Sequence, residues 1–283
     1  MKNRKRIPAG TEIAFQGEKG AYSEEAILSS FGESVTPRAY RTLIDVFATV
    51  ENGVISYGVV PVENSSEGSI NETYDLLLNS KLKVCGEVNL RIVHCLVAKK
   101  NTKLSDIEII YSHPQALAQC SGFIRKMGIE PTPTYDTAGS VPIVKGKRLR
   151  KTAAIASSRT AEIYGMNILA RGIEDNPMNF TRFFILSTRD SLPTGKDKTS
   201  IIFSVKHKSG SLYGALSALA KKNINLTKIE SRPTKQKPWE YNFYLDFEGH
   251  RKEKTIVCSL KDLKQESIFV KILGSYPMTE IKT

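Results

Sequence analysis

The sequence predicts an α/β protein in which a long alternating strand–helix region is followed by a β-α-β-β-α-β unit. Three observations carry this. Short apolar runs alternate with helical periodicity from residue 11 to residue 186. A polar stretch at 187–198, holding Pro193 and Gly195, interrupts the pattern as a linker would. Beyond it Leu212, Leu216 and Leu219 recur at helical spacing, while Tyr241, Phe243, Leu245 and Phe247 alternate with polar residues. The first region calls for helices flanking mainly parallel sheets. The second has the ferredoxin-like order.

In chain order, residues 11–15 read as a strand, 21–30 as a helix entered from a glycine turn, and 42–52 as a second helix. An apolar strand at 57–62 leads to a helix at 69–79 and extended chain over 82–98. A strand at 109–111 precedes a helix at 115–127, with Pro114 suited to its first turn. Strands at 132–135, 153–155 and 168–170 alternate with helices at 140–147 and 159–164, and a strand at 180–186 closes the region. After the linker come a strand at 199–206, a helix at 211–222, strands at 225–231 and 241–249, a helix at 252–265 and a strand at 268–275.

Composition narrows the function classes. The chain has 283 residues, enough for one large domain or two ordinary ones. No uncharged apolar run is long enough to span a bilayer. The basic start, residues 1–10, lacks an apolar signal core and reads as a loose leader, so a cytoplasmic location is expected. Cys85, Cys95, Cys120 and Cys258 show no metal spacing, and His94, His113, His207 and His250 form no His-Glu-x-x-His pattern. The formal charge is +12, densest at Lys145, Lys147, Arg148, Arg150 and Lys151. That suits an anionic small molecule or plain solubility. Nucleic acid is not expected, because no recognition motif accompanies it.

Four segments join strands to helices with small polar residues. Residues 17–24, including Ser23, form a glycine turn that opens backbone N–H groups to an anion or serves as a capping turn. Residues 60–69 leave an apolar strand, and Asn64 and Ser65 either donate to a carboxylate or cap the next helix. Thr137, Gly139 and Ser140 repeat that layout. His113 begins a helix as a general acid or as a structural cap. The most informative stretch is residues 179–186, a strand whose alternation puts Thr181 and Phe183 on one face and Arg182 on the other. Several helix starts with few ionisable groups suit a multiply charged small acid. Parts for a nucleophile triad or paired carboxylates do not assemble.

The segments GEKGAYSEEA, VPVENSSEGSINETYDLL, HPQALAQC, YDTAGS and NFTRFFIL, in that order, resemble prephenate dehydratase of the monofunctional kind with a C-terminal ACT regulatory domain. The resemblance covers residues 12–277. It implies conversion of prephenate to phenylpyruvate, carbon dioxide and water without metal or organic cofactor. It implies a two-lobed catalytic domain like a type-II periplasmic binding protein, over residues 11–190, with lobe 1 about 11–85 and 168–190 and lobe 2 about 86–167. A linker at 191–198 and an ACT domain at 199–278 follow. Carried over by motif, Thr181 is the essential hydroxyl. Ser23, Asn64, Ser65, Thr137, Gly139, Ser140, Arg182 and Phe183 line the cleft, with Phe180 in the apolar wall. Arg182 pairs with a substrate carboxylate or braces its strand. GALS (Gly214, Ala215, Leu216, Ser217) and ESRP (Glu230, Ser231, Arg232, Pro233) resemble the two phenylalanine-contact motifs. Ser217 stands where an apolar residue is usual, which puts effector affinity in doubt. L-Phenylalanine is the implied feedback effector and a homodimer or homotetramer the implied assembly. Arogenate dehydratase and a non-catalytic small-acid sensor are the alternatives.

Overall fold

β1 (Glu12–Gln16) buries Ile13, Ala14 and Phe15 and pairs in parallel with β2 (Thr36–Tyr40) and β3 (Tyr57–Asn64). α1 (Tyr22–Phe31) and α2 (Leu43–Glu51) pack on these strands. A capping box starts α2: the Thr42 hydroxyl accepts the Asp45 N–H, and the Asp45 carboxylate accepts the Thr42 N–H. β4 (Gly68–Ser69) folds back on β3 and leads into α3 (Asn71–Asn79). β5 (Lys83–Arg91) and a late strand, Phe180–Ser187, complete the sheet beyond β3.

The second sheet contains β6 (Cys95–Ala98), β7 (Ile109–Ser112), β8 (Glu130–Pro133), β9 (Thr152–Ala156) and β10 (Asn167–Arg171), in the order β10-β6-β9-β7-β8. β7 is parallel to β8 and β9, whereas β6 runs antiparallel to β9 and β10. Strand alternation gives this sheet two apolar faces. Leu96, Ala153 and Ile155 join the core with α4 (Pro114–Gln119) and α5 (Ser121–Met127). Cys95, Val97, Ala154 and Ala156 join a second core with α6 (Ser140–Gly146) and α7 (Ser158–Tyr164). The late strand Phe180–Ser187 is β11.

The computed structural model describes residues 7–146, 151–235 and 237–280. Most of the leader and part of the basic cluster at 145–151 lie outside the described residues. The chain divides into two units, 7–73 with 88–183, and 74–87 with 184–280. β5 and β11 each run from one unit into the other.

In the second unit, β12 (Asp197–Ser204) lies between β14 (Tyr241–Glu248) and β15 (Phe269–Pro277), antiparallel to both, with β13 (Leu226–Pro233) at the edge beside β14. α8 (Ser211–Ala220) and α9 (Lys254–Gln265) cover one face around Ile201, Phe203, Leu219, Leu245 and Phe247. This is the expected βαββαβ fold. Segment 74–87 meets polar groups of the same unit. Lys271 Nζ donates to the carbonyls of Leu77 (2.9 Å), Leu78 (2.7 Å) and Ser80 (2.5 Å). The fully buried Glu87 carboxylate pairs with Lys198 at 3.1 Å and accepts the Thr279 N–H.

Four expectations change. The helix foreseen at 115–127 breaks at Cys120 into α4 and α5, because Asp175 accepts the Gly122 N–H and the Ser121 hydroxyl and caps α5. The edge strand β2 was not foreseen: it is largely exposed, holds Pro37 and has no apolar alternation. β10 belongs to the second sheet rather than to the first lobe with 180–190, since it pairs with β6. β5 stays in the first sheet beyond residue 85, as far as Arg91.

Candidate active site

A cleft of about 230 Å³ lies within the unit that holds both large sheets. The end of β3 brings Asn64 to it, β11 brings Thr181 and Phe183, and the start of α1 brings Tyr22 and Ser23. α4 contributes Gln115, Ala116 and Gln119, and the loop before α6 contributes Tyr135, Asp136, Thr137 and Ala138. Ile70, Ile92, Pro61 and Phe183 form its apolar wall. Among the described residues that line it there is no lysine or arginine, and Asp136 is the one carboxylate. A bound acid therefore meets neutral donors.

Asn64 organises the site. It is buried, and its Oδ1 accepts the backbone N–H groups of Ser66 (2.9 Å) and Glu67 (3.0 Å). Backbone N–H groups only donate, so the other branch of the amide must be Nδ2. That nitrogen donates to Asn179 Oδ1 at 2.7 Å and to Thr181 Oγ1 at 3.0 Å. Thr181 thus receives a hydrogen bond, and no described residue takes its own proton. Its O–H is left to donate into the cleft. Asn179 Nδ2 donates in turn to Gln119 Oε1 at 2.9 Å, which also lies 2.9 Å from His94 Nε2. His94 is buried, and burial holds its pKa below the ordinary histidine value, against the smaller upward pull of Gln119 and Glu174. Burial likewise pushes the Tyr22 phenol well above its usual range, so it stays protonated.

Of the residues foreseen in the cleft, Ser23, Asn64, Thr137, Thr181 and Phe183 line it. The others lie elsewhere for visible reasons. Ser65 is exposed; its hydroxyl donates to Met178 O at 2.8 Å and accepts the Phe180 N–H at 2.9 Å, bracing the entry to β11. Phe180 is held in that backbone zip and is not among the lining residues. Arg182 lies on the opposite strand face, 3.8 Å from the Glu63 carboxylate on neighbouring β3, and is not among the cleft-lining residues. Ser140 is fully buried and its hydroxyl donates to Asp136 O at 2.7 Å. Gly139 leaves space for a neighbour, since an added Cβ would lie 2.6 Å from the Tyr135 hydroxyl oxygen. His113 lines the cleft and also caps α4, accepting the Gln115 N–H. The glycine turn does not present open N–H groups throughout, because Glu24 takes the Gly20 N–H at 2.5 Å. Gly20 O accepts the hydroxyls of Ser157 and Thr160, and a Cβ there would fall 2.7 Å from Thr160 Oγ1.

Sequence reasoning missed Tyr22, His94, Gln119 and Asn179. Gln115 and Gln119, four apart, gave a local signal that both face one way. Asn179 and Asn64 meet across 115 residues, which no local pattern reveals.

The two segments expected to contact an effector occupy different positions in their own unit. Ala215 is fully buried in the core, Leu216 packs against it, and Gly214 faces Glu266, where a Cβ would lie 3.1 Å from Oε2. The Ser217 hydroxyl donates to Gly214 O. On β13, Glu230 and Arg232 share the half-buried face, and Ser231 and Pro233 point to the exposed one. Arg232 pairs with Asp75 at 2.9 Å. Burial raises the Asp75 pKa, but hydrogen bonds from Lys235 and Arg232 outweigh it and hold the carboxyl below its usual range.

The chain matches the family model of prephenate dehydratase over residues 13–191 and that of the ACT domain over residues 199–265. It is 42% identical over 268 residues to a bifunctional chorismate mutase/prephenate dehydratase of Aquifex aeolicus, covering 94% of this chain and 73% of that protein. A solved prephenate dehydratase of Arthrobacter aurescens in complex with L-Phe has a TM-score of 0.87 at 30% identity, covering 95% of this chain and 90% of that one. GqqA, described as a novel type of quorum quenching acylase, has the same TM-score of 0.87 at 34% identity, with 95% and 98% covered. The chain belongs to the prephenate dehydratase family and carries an ACT domain after its catalytic region.

Proposed function

We propose that this chain converts prephenate to phenylpyruvate in phenylalanine biosynthesis. Prephenate is a dianion. As the bond to its ring carboxylate breaks, that electron pair enters the ring, the hydroxyl departs from the opposite carbon and carbon dioxide leaves. One proton joins the departing hydroxide to make water, so dianion plus proton gives the phenylpyruvate monoanion, carbon dioxide and water. Aromaticity drives the reaction. The enzyme has to fix the ring, stabilise the departing oxygen and keep water from the carboxylate that is lost. One observation carries the reading: Thr181 Oγ1 accepts from Asn64 Nδ2 and so turns its own proton to the cleft. The same geometry argues against Thr181 as a nucleophile, because no described base receives its proton.

Arogenate, with an ammonium in place of the keto group, would need a carboxylate near its side chain. Asp136 is the one lining carboxylate, and its Oδ1 already accepts the Gly139 N–H at 2.7 Å. Prephenate, the substrate named in the matching family description, is the substrate proposed here. L-Phenylalanine is the feedback effector in this reading, acting through the ACT domain and the motifs at 214–217 and 230–233. A homodimer or homotetramer in the cytoplasm is part of the same proposal. β13 is the edge strand of its sheet and leaves Ile229 47% exposed, a side chain that a second copy would cover. The test is one assay on purified protein. Prephenate should yield phenylpyruvate and arogenate little phenylalanine; activity on arogenate alone would replace the reading, and inactivity on both would end it.

A further inference from the structure

The polar chain behind Thr181 is fixed from its Asn64 end. There the backbone N–H groups of Ser66 and Glu67 set the Asn64 amide, which sets Asn179, which sets Gln119 with its Oε1 toward His94. Each polarity follows from the one before it. An Oε1 that already accepts Asn179 needs a donor at 2.9 Å, so His94 carries its proton on Nε2. The neutral ring then has its lone pair on Nδ1, and the Tyr22 hydroxyl lies 2.9 Å from that atom. The single proton of that hydroxyl has two acceptors at 2.9 Å, Nδ1 and Val93 O, so the tautomer is set from the Gln119 side. The opposite tautomer of His94 would place a lone pair against Gln119 Oε1. Relieving it by turning the Gln119 amide would set two NH₂ groups face to face at Asn179.

We propose that His94, held as its Nε2–H tautomer by Gln119 Oε1, is a positioning residue for the dehydration. Its donated hydrogen bond clamps Gln119 Oε1 and, through Asn179 and Asn64, keeps the Thr181 proton aimed at the departing oxygen. It also leaves the Gln119 amide nitrogen, which has no described partner, on the cleft side for the substrate. Neither His94 nor Tyr22 performs proton transfer in this scheme. The inference deepens the dehydratase reading and rests on it.

The experiment compares His94→Gln, His94→Met and Tyr22→Phe on the full chain. Glutamine keeps an N–H donor near the Nε2 position, whereas methionine fills the space without one. His94→Met should lower kcat by about 10–100-fold with KM within about 3-fold, and His94→Gln should recover most of the loss, because a misplaced donor acts on the transition state. Nitrogen-15 NMR of the parent should show Nε2 protonated and Nδ1 bare, and Tyr22→Phe should leave that tautomer in place and lower kcat by less than His94→Met. Equal damage from glutamine and methionine, an effect confined to KM, or a parent His94 protonated on Nδ1 alone would each overturn the inference. A parent inactive on prephenate would count against the dehydratase reading instead, and the NMR result would still decide the tautomer.

Discussion

Asn64 meets four partners, and that saturation sets the direction of the whole site. Two backbone N–H groups take its oxygen, and two side-chain oxygens take its nitrogen. Replacing it with aspartate keeps the first pair and reverses the second, since a carboxylate would accept the Thr181 proton. Asn64→Asp should therefore lower kcat on prephenate by about 10²-fold or more, the scale of losing one preorganised donor. Steady-state kinetics beside a melting curve checks it; a variant with near-parental kcat would refute the directional argument. His94 makes a separate pH prediction. Its folded pKa is lowered, so between that value and the ordinary value of about 6.5 the unfolded chain binds the extra proton. The stabilisation is complete above the ordinary value and is lost as pH falls through it toward the folded pKa. His94→Gln should flatten the decline of Tm over that interval, and an unchanged slope would mean that His94 does not carry it. The sequence displayed Thr181, Phe183 and Asn64 because each sits in a strand or at a strand end with a recognisable motif. It hid His94 and Asn179 because their partners are distant in the chain, and it misplaced Ser65 and Ser140 because a small hydroxyl near a helix start serves bracing as readily as binding.

At the scale of elements, periodicity located most strands and helices and failed where a distant residue ended one. Asp175, more than fifty positions beyond the start of α5, breaks the helix at Cys120, and pairing with β6 recruits β10 to the second sheet. A third distant contact holds the end of α3. The last carbonyls of a helix lack internal partners, and Lys271 on β15 supplies its three N–H donors to Leu77, Leu78 and Ser80. This is a charge-assisted cap with favourable dipole geometry. Lys271→Met should lose about 1–3 kcal/mol of stability in denaturant melts, the cost of hydrogen bonds to a charged group. Loss of less than about 0.3 kcal/mol, the scale of a neutral surface change, would show that solvent satisfies these carbonyls equally well.

For the whole molecule, the order of the parts was legible in the motifs, and the proposed regulation depends on linkage between them. Inhibition by L-phenylalanine requires two states with different affinity for the effector and for prephenate. Linkage is reciprocal for binding, so a ligand occupying the cleft must weaken L-phenylalanine binding by the same factor by which L-phenylalanine weakens the cleft ligand, typically about 5–150-fold. Calorimetry with L-phenylalanine, with and without saturating phenylpyruvate, should show that loss. An effector affinity indifferent to the cleft ligand, in a protein that L-phenylalanine inhibits, would contradict a binding linkage. The buried Glu87–Lys198 pair and the Lys271 cap show how segment 74–87 is held by its own unit, and Arg232 of the proposed second effector segment pairs with Asp75 there. The central claim concerns one hydroxyl, and its most direct test is a comparison of Thr181→Val with Thr181→Ser on prephenate. Valine keeps the shape and removes the donor, so kcat should fall by about 10²–10³-fold, while serine, which keeps the donor, should stay far closer to the parent. Valine turning over prephenate within a few-fold of the parent would contradict the account.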